Sequence, residues 1–109
     1  MSLELPVLAD LRMNLVPPDV VESTNAAALV ADPIRASILA MLRDGPVCVC
    51  EMAAALGERQ NNVSNHLARL REAGLVRTSR HGADTRRVYY ERDEAACGVA
   101  LDALRVVLG

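Results

Sequence analysis

Two short amphipathic segments separated by a glycine leave this chain few folds to choose from. In "CEMAAALG" and "RQNNVSNHLARLREAGLV" the apolar residues Met52 and Leu56, then Val63, Leu67 and Leu70, recur every three or four positions, and Gly57-Glu58-Arg59 interrupts them. Such spacing gathers each set on one face of a helix. Two short helices joined by a tight turn containing glycine make a helix-turn-helix, whose second helix reads DNA. The flanks extend the pattern. "LVRTSRHGADTRRVYYE" reads as two strands around a His81–Thr85 loop, a β-hairpin. "DEAACGVALDALRVVLG" reads as a last helix capped by Asp93, with Cys97, Ala100, Leu101, Leu104, Val107 and Leu108 along one apolar face. Upstream, "ADPIRASILAMLRDGP" has Asp32 as N-cap, Pro33 at the first helical position, and Asp44-Gly45-Pro46 as its end. Residues 19–31, behind Pro17-Pro18, are helical in composition. The expected fold is mainly α with a β-hairpin wing, a winged helix-turn-helix. Residues 1–16 read as an N-terminal arm, and 17–109 as the DNA-binding domain with a C-terminal dimerisation helix.

With no Phe, no Trp and two Tyr in 109 residues, the core has to be built from Leu, Val, Ala and Met. A small domain with so thin a core gains burial by pairing, and the apolar stripe of the last helix has little domain left to cover it. A homodimer is expected. No run approaches the roughly 20 apolar residues that span a bilayer. "MSLELPVLADLRMN" has early acids and no basic n-region, so neither a membrane partner nor a secretory signal is expected. Three cysteines without framework spacing read as reduced thiols and suggest a cytoplasmic protein.

The formal net charge of −2 conceals a strong polarity. Residues 59–92 carry eight arginines against three acids, a local +5, whereas residues 1–58 carry eight acids against three arginines. The basic stretch coincides with the second helix and the hairpin, which points to double-stranded DNA as the partner. If Val63, Leu67 and Leu70 are buried, then Asn61, Asn62, Asn65 and Arg69 project outward with Ser64 on the flank. Amides bond adenine edges, arginine bonds guanine, and serine serves base or phosphate. Gln60 stands at the helix entrance, where backbone N–H groups favour phosphate. Arg77, Arg80, Arg86 and Arg87, on or beside the hairpin, are candidates for phosphate or minor-groove contact, against ordinary strand-surface charge. His66 lies toward the apolar stripe, which favours a packed, hydrogen-bonded histidine over a base reader.

The remaining feature is "GPVCVCEMAAALG". Cys48 and Cys50 stand one residue apart at the entrance of the first helix of the pair. On an unbroken helix these positions face nearly opposite ways, so a shared site requires a disturbed first turn or a Cys48 outside the helix. A thiol at a helix N-terminus is expected to have a lowered pKa, and thiolate binds soft metals and metalloids. Two buried packing residues are the structural alternative. An enzyme is not expected. A thiol oxidoreductase would show C-x-x-C in a βαβ setting, and no Gly-rich loop or acid/base cluster suggests a small organic substrate.

The stretch from Ala31 to Tyr90 resembles the ArsR/SmtB family of bacterial metal-responsive repressors. The resemblance rests on Asp32-Pro33-x-Arg35, on "VCVCE", on "VSNHLARLREAGLV" and on Arg87-x-Tyr89, in that order. It implies a homodimeric winged helix that binds operator DNA when free of inducer and leaves it when inducer binds. It also assigns Cys48 and Cys50 as inducer ligands, for As(III) or Sb(III), with Cd(II) or Pb(II) as alternatives. A thiol redox or persulfide sensor on the same fold is the rival. Two departures qualify the likeness. Ala53 stands where arsenite sensors of the familiar pattern have a third cysteine, and the N-terminal arm has none. The last helix has no histidine, which argues against the zinc, nickel or cobalt sites of the family. Cys97 is the one further thiol, either a third ligand or a packed residue.

Overall fold

A computed structural model describes residues 18–80 and 86–109, with side chains from residue 25. The N-terminal arm read over 1–16 and the hairpin loop 81–85 lie outside the described residues. Among the described residues, helices and strands follow in the order α1 (Pro18–Ala31), α2 (Pro33–Met41), β1 (Val47–Cys48), α3 (Val49–Leu56), α4 (Gln60–Glu72), β2 (Val76–Ser79), β3 (Tyr89–Arg92) and α5 (Glu94–Leu108), with a 3-10 turn over Leu42–Asp44 between α2 and β1. This is a winged helix-turn-helix, as the sequence pattern requires.

The breaks are chemical. Asp32 is extended and accepts hydrogen bonds from the N–H groups of Ile34 and Arg35, so α1 stops and α2 starts at one residue. The Arg35 N–H, and after it that of Ile34, hold the Asp32 carboxyl below its ordinary value. A carboxylate so depressed stabilises the fold at neutral pH, and that contribution is lost as pH falls through its lowered value. Between α3 and α4, Gly57 takes φ +65, the left-handed conformation that favours glycine, and the Glu58 N–H reaches back to the Ala53 carbonyl. Asp93 caps α5 by accepting from the Ala96 N–H at 2.9 Å.

Ile38, Leu42, Met52, Val63, Leu67 and Leu70 are almost wholly buried, and Leu75 and Val76 close the core from the wing side. Burying each large aliphatic side chain contributes about 1.5–3 kcal/mol, enough to fix how α4 rests on α2 and α3. The strands pair antiparallel in the order β1-β3-β2. Strand β1 was not expected; a strand of two residues has no alternation to read, and it exists because β3 lies beside it. Helix α5 packs on α1 and presents Cys97 and Ala100 to the core. Its opposite flanks leave Val99, Leu101, Val106 and Leu108 half to four-fifths exposed.

Candidate functional site

Cys48 ends β1 and is the N-cap of α3, extended at φ −81 and ψ 154, and the chain turns helical one residue later. The two thiols therefore meet instead of opposing each other. Their Sγ atoms are 2.6 Å apart, and both cysteines are free. The helix needs no distortion to bring them together: of the two routes to a shared site, the Cys48 outside the helix is the one taken. Cys48 is fully buried and Cys50 partly so. Cys48 Sγ accepts the Glu51 N–H at 3.4 Å and donates to Glu51 Oε1 at 3.2 Å. Burial pushes the Cys48 thiol up, the hydrogen bond with Cys50 adds to the rise, and the Glu51 N–H opposes it without reversing it. The lowered pKa expected from the helix N-terminus is not found at Cys48, because desolvation outweighs the dipole.

The thiol turn is stitched to the wing. The N–H of Val49, the peptide between the two cysteines, donates to the Val88 carbonyl at 3.0 Å, and Cys48 sits in register with Tyr89. Glu51 Oε1 lies 4.0 Å from Arg87 Nη1. A groove of about 370 Å³ opens beside this turn, lined by Val49, Cys50, Gln60, Ser64, Arg86, Arg87, Val88 and Tyr90. One thiol, the start of the reading helix and the base of the wing thus share a wall.

On α4, Val63, Leu67 and Leu70 face inward while Gln60, Asn61, Ser64, Asn65, Ala68 and Arg69 are exposed, the arrangement expected of a groove-reading face. Asn62 departs from it. It is only partly exposed, and its amide donates to Glu58 Oε2 at 2.9 Å, bracing the turn. Arg80, Arg86 and Arg87 are exposed. Arg77 instead donates to Glu91 Oε1 at 3.0 Å and to Asp93 Oδ2 at 3.1 Å, a strand-surface pairing. His66 is the packed histidine that its place on the helix suggests: its Nδ1 lies 3.2 Å from Arg35 Nη1 and 4.0 Å from Asp32 Oδ1. Arg35 and Glu51 stand in the sequence only as members of family motifs, with no role assigned to either, and Val88 carries no signal at all. Arg35 is buried and also donates to the carbonyls of Leu29 at 2.6 Å and Ala28 at 3.4 Å, so it ties the end of α1 to the reading helix.

Cys97 is not brought to the pair. Its thiol donates to the Leu75 carbonyl at 3.7 Å, near the Val76–Arg92 end of the sheet, whereas Cys48 pairs with Tyr89 at the other end of β3. Burial pushes its pKa up, with the charge of Arg92 opposing. Among the described residues no three His, Cys, Asp or Glu side chains gather as a metal-ion site, and no single helix is long and apolar enough to cross a membrane.

Residues 32–78 match the family model described as bacterial regulatory protein, arsR family. The chain is 46% identical over 54 residues to the arsenic resistance transcriptional regulator ArsR1 of Pseudomonas putida, a match covering 49% of this chain and 42% of that protein. It is 33% identical over 95 residues to ArsR2 of the same organism, also an arsenic resistance transcriptional regulator, covering 86% of this chain and 75% of that one. Among solved structures, a possible transcriptional regulator for arsenical resistance superposes with a TM-score of 0.61 at 30% identity, over 76% of this chain and 79% of its own. The matches to the first curated relatives span just under half of those proteins' length.

Proposed function

This chain belongs to the arsR family of bacterial regulatory proteins, and on that premise we propose that it is a homodimeric repressor which leaves operator DNA when As(III) or Sb(III) bonds Cys48 and Cys50. The observation that carries the reading is the thiol turn itself. Two free sulfurs lie side by side where β1 becomes α3, and the peptide between them is bonded to the wing. Soft sulfur donors select thiophilic ions over oxygen-seeking ones. Two thiols fit such an ion as a two-sulfur site, and the names of the relatives above favour arsenic. Cys97 completes a three-sulfur site only if it comes from a second copy. Cd(II) and Pb(II) are the alternatives within the same chemistry. Oxidation or persulfidation of the pair is the second reading, which the 2.6 Å approach of the two free thiols also supports.

DNA recognition falls to α4 and the wing: Gln60, Asn61, Ser64, Asn65 and Arg69 on the helix, with Arg80, Arg86 and Arg87 beside it; Asn62, Arg77 and Arg87 would each exchange the carboxylate partner described above for DNA. Residues 17–109 form the DNA-binding and dimerising unit in this reading, with 1–16 as an arm. The deciding experiment titrates the protein, bound to the DNA upstream of its own gene, with As(III), Sb(III), Cd(II), Pb(II) and Zn(II). Release by As(III) or Sb(III) below the concentrations at which the other ions act is expected. Release by oxidant or persulfide alone, with a matching mass change, would replace the metalloid reading.

DNA binding itself is expected to weaken steeply with salt, because arginines displace counterions from phosphate. Arg86→Ala should weaken binding to every sequence alike and flatten the salt slope. Asn65→Ala should relax preference at particular bases, each such contact being worth about 1–3 kcal/mol. Binding measured by fluorescence anisotropy on a set of singly substituted duplexes separates the two. An Asn65→Ala protein with undiminished base preference would move the reading face elsewhere on α4.

A further inference from the structure

Since the two thiols already touch, inducer binding cannot act by dragging them together, and another route must connect them to the DNA-facing surface. We propose that Glu51 is that route: a positioning residue that holds the Cys48 thiol proton in the inducer-free protein and captures the wing residue Arg87 once that proton is gone. The inference rests on the thiol pair being the inducer site.

The geometry supplies each link. Glu51 Oε1 accepts from Cys48 Sγ at 3.2 Å and lies 4.0 Å from Arg87 Nη1, so one oxygen faces both the buried thiol and the wing cation. Both outer side chains are about half exposed, 57% for Glu51 and 51% for Arg87, so the pair can tighten or part without disturbing the core. The backbone runs in parallel with this contact, because the Val49 N–H holds the carbonyl of Val88, the residue after Arg87.

Arsenite reacts with the pair by exchanging two As–O bonds for two As–S bonds. As(OH)₃ and two thiols give a dithiolate-bound As–OH and two waters, which carry away both thiol protons with no change of oxidation state. Cys48 then has no hydrogen to donate. Glu51 Oε1 keeps its charge, loses its donor, and faces the lone pairs of a ligated sulfur. Arg87 Nη1 lies 4.0 Å from that oxygen, and a carboxylate–guanidinium hydrogen bond is a strong, charge-assisted one. A guanidinium held by Glu51 is withdrawn from a DNA phosphate. Occupancy of the thiols is thus converted into the loss of a phosphate contact, the differential interaction that any ligand-driven shift demands.

The test is Glu51→Gln. The amide oxygen still accepts the Cys48 thiol and the shape is kept, but the charge that would capture Arg87 is removed. Arsenite binding is followed by the loss of titratable thiols, and DNA affinity by anisotropy with and without As(III). The variant should bind As(III) within about threefold of the parent, while the ratio of DNA affinities without and with As(III) falls to within about twofold of one. Arg87→Gln should lower DNA affinity and also shrink the ratio, and the double variant should lose no more coupling than either single one. Glu51→Gln with the parent's ratio would overturn the proposal, as would additive losses in the double variant. A parent protein that no thiophilic ion releases would instead refute the thiol-sensor reading.

Discussion

Cys48→Ser and Cys50→Ser proteins are expected to hold operator DNA as tightly as the parent and to stay on it when arsenite is added. Neither thiol lies on the exposed face of α4, so DNA affinity should change by less than about twofold to threefold, within the context scatter of any single contact. The serine at 48 is also compatible with the fold. Cys48 is an N-cap whose sulfur accepts the Glu51 N–H, and a serine oxygen does the same work as one of the best N-capping groups. The lost quantity is the coupling. A sensor of this kind typically changes DNA affinity by a factor of about 5–150, equivalent to about 1–3 kcal/mol, and with either sulfur gone that factor should fall to one. Cys97→Ser divides two outcomes. If a second copy's Cys97 completes the site, arsenite affinity and the number of sulfurs around arsenic, counted by X-ray absorption, should both fall. If Cys97 is only a packed thiol against the Leu75 carbonyl, the titration should be unchanged. A Cys50→Ser protein still released by arsenite at the parent's concentration would remove the pair from the mechanism.

Leu101→Asp is expected to give monomers that have lost at least a hundredfold in affinity for a two-half-site operator. Leu101 is half exposed on α5, in line with Leu108 seven residues on, and Val99 and Val106 are similarly bare on the other flank. An Asp at 101 need enter no core, so the single chain should still fold. It would put a charge into the middle of the apolar face on which two copies are proposed to meet, and a charge buried there without a partner is strongly unfavourable. A dimer binding two half-sites gains the second by an intramolecular step, so losing the dimer costs far more than losing one contact. Light scattering coupled to gel filtration, with circular dichroism to confirm folding, reads the outcome. A folded Leu101→Asp dimer would place the interface elsewhere.

The parts legible beforehand were those whose cause is local. Asp32-Pro33 announces a helix start because cap and first-turn proline act within three residues. Gly57 marks the turn because few other residues take its backbone conformation without strain. The stripe Val63, Leu67, Leu70 declares its buried face, and with it the exposed amides, by spacing alone. What escaped reading depends on partners distant in the chain. Val47 and Cys48 form a strand only because Tyr89 and Tyr90 arrive beside them. The thiol pKa shift depends on how deeply Cys48 is covered, which no window of sequence reports. Arg35 and His66 are 31 positions apart. Arg77 looked like its neighbours in a basic stretch, and the strand register, which pairs it with Glu91, decides otherwise.

The Arg35 bridge has a consequence for the spacing of DNA sites. Its guanidinium holds the last turn of α1 and the flank of α4 at once, and α1 rests on α5. The reading helix therefore cannot tilt without carrying with it the helices on which a second copy would dock. Two chains joined there would behave as a caliper with fixed jaws. Half-sites about 34–36 Å apart lie on the same side of the duplex, and each inserted base pair rotates one of them by roughly 35° relative to the other. A brace this stiff leaves the jaws unable to follow that rotation, so operators would be chosen by the phase of the double helix as much as by their bases.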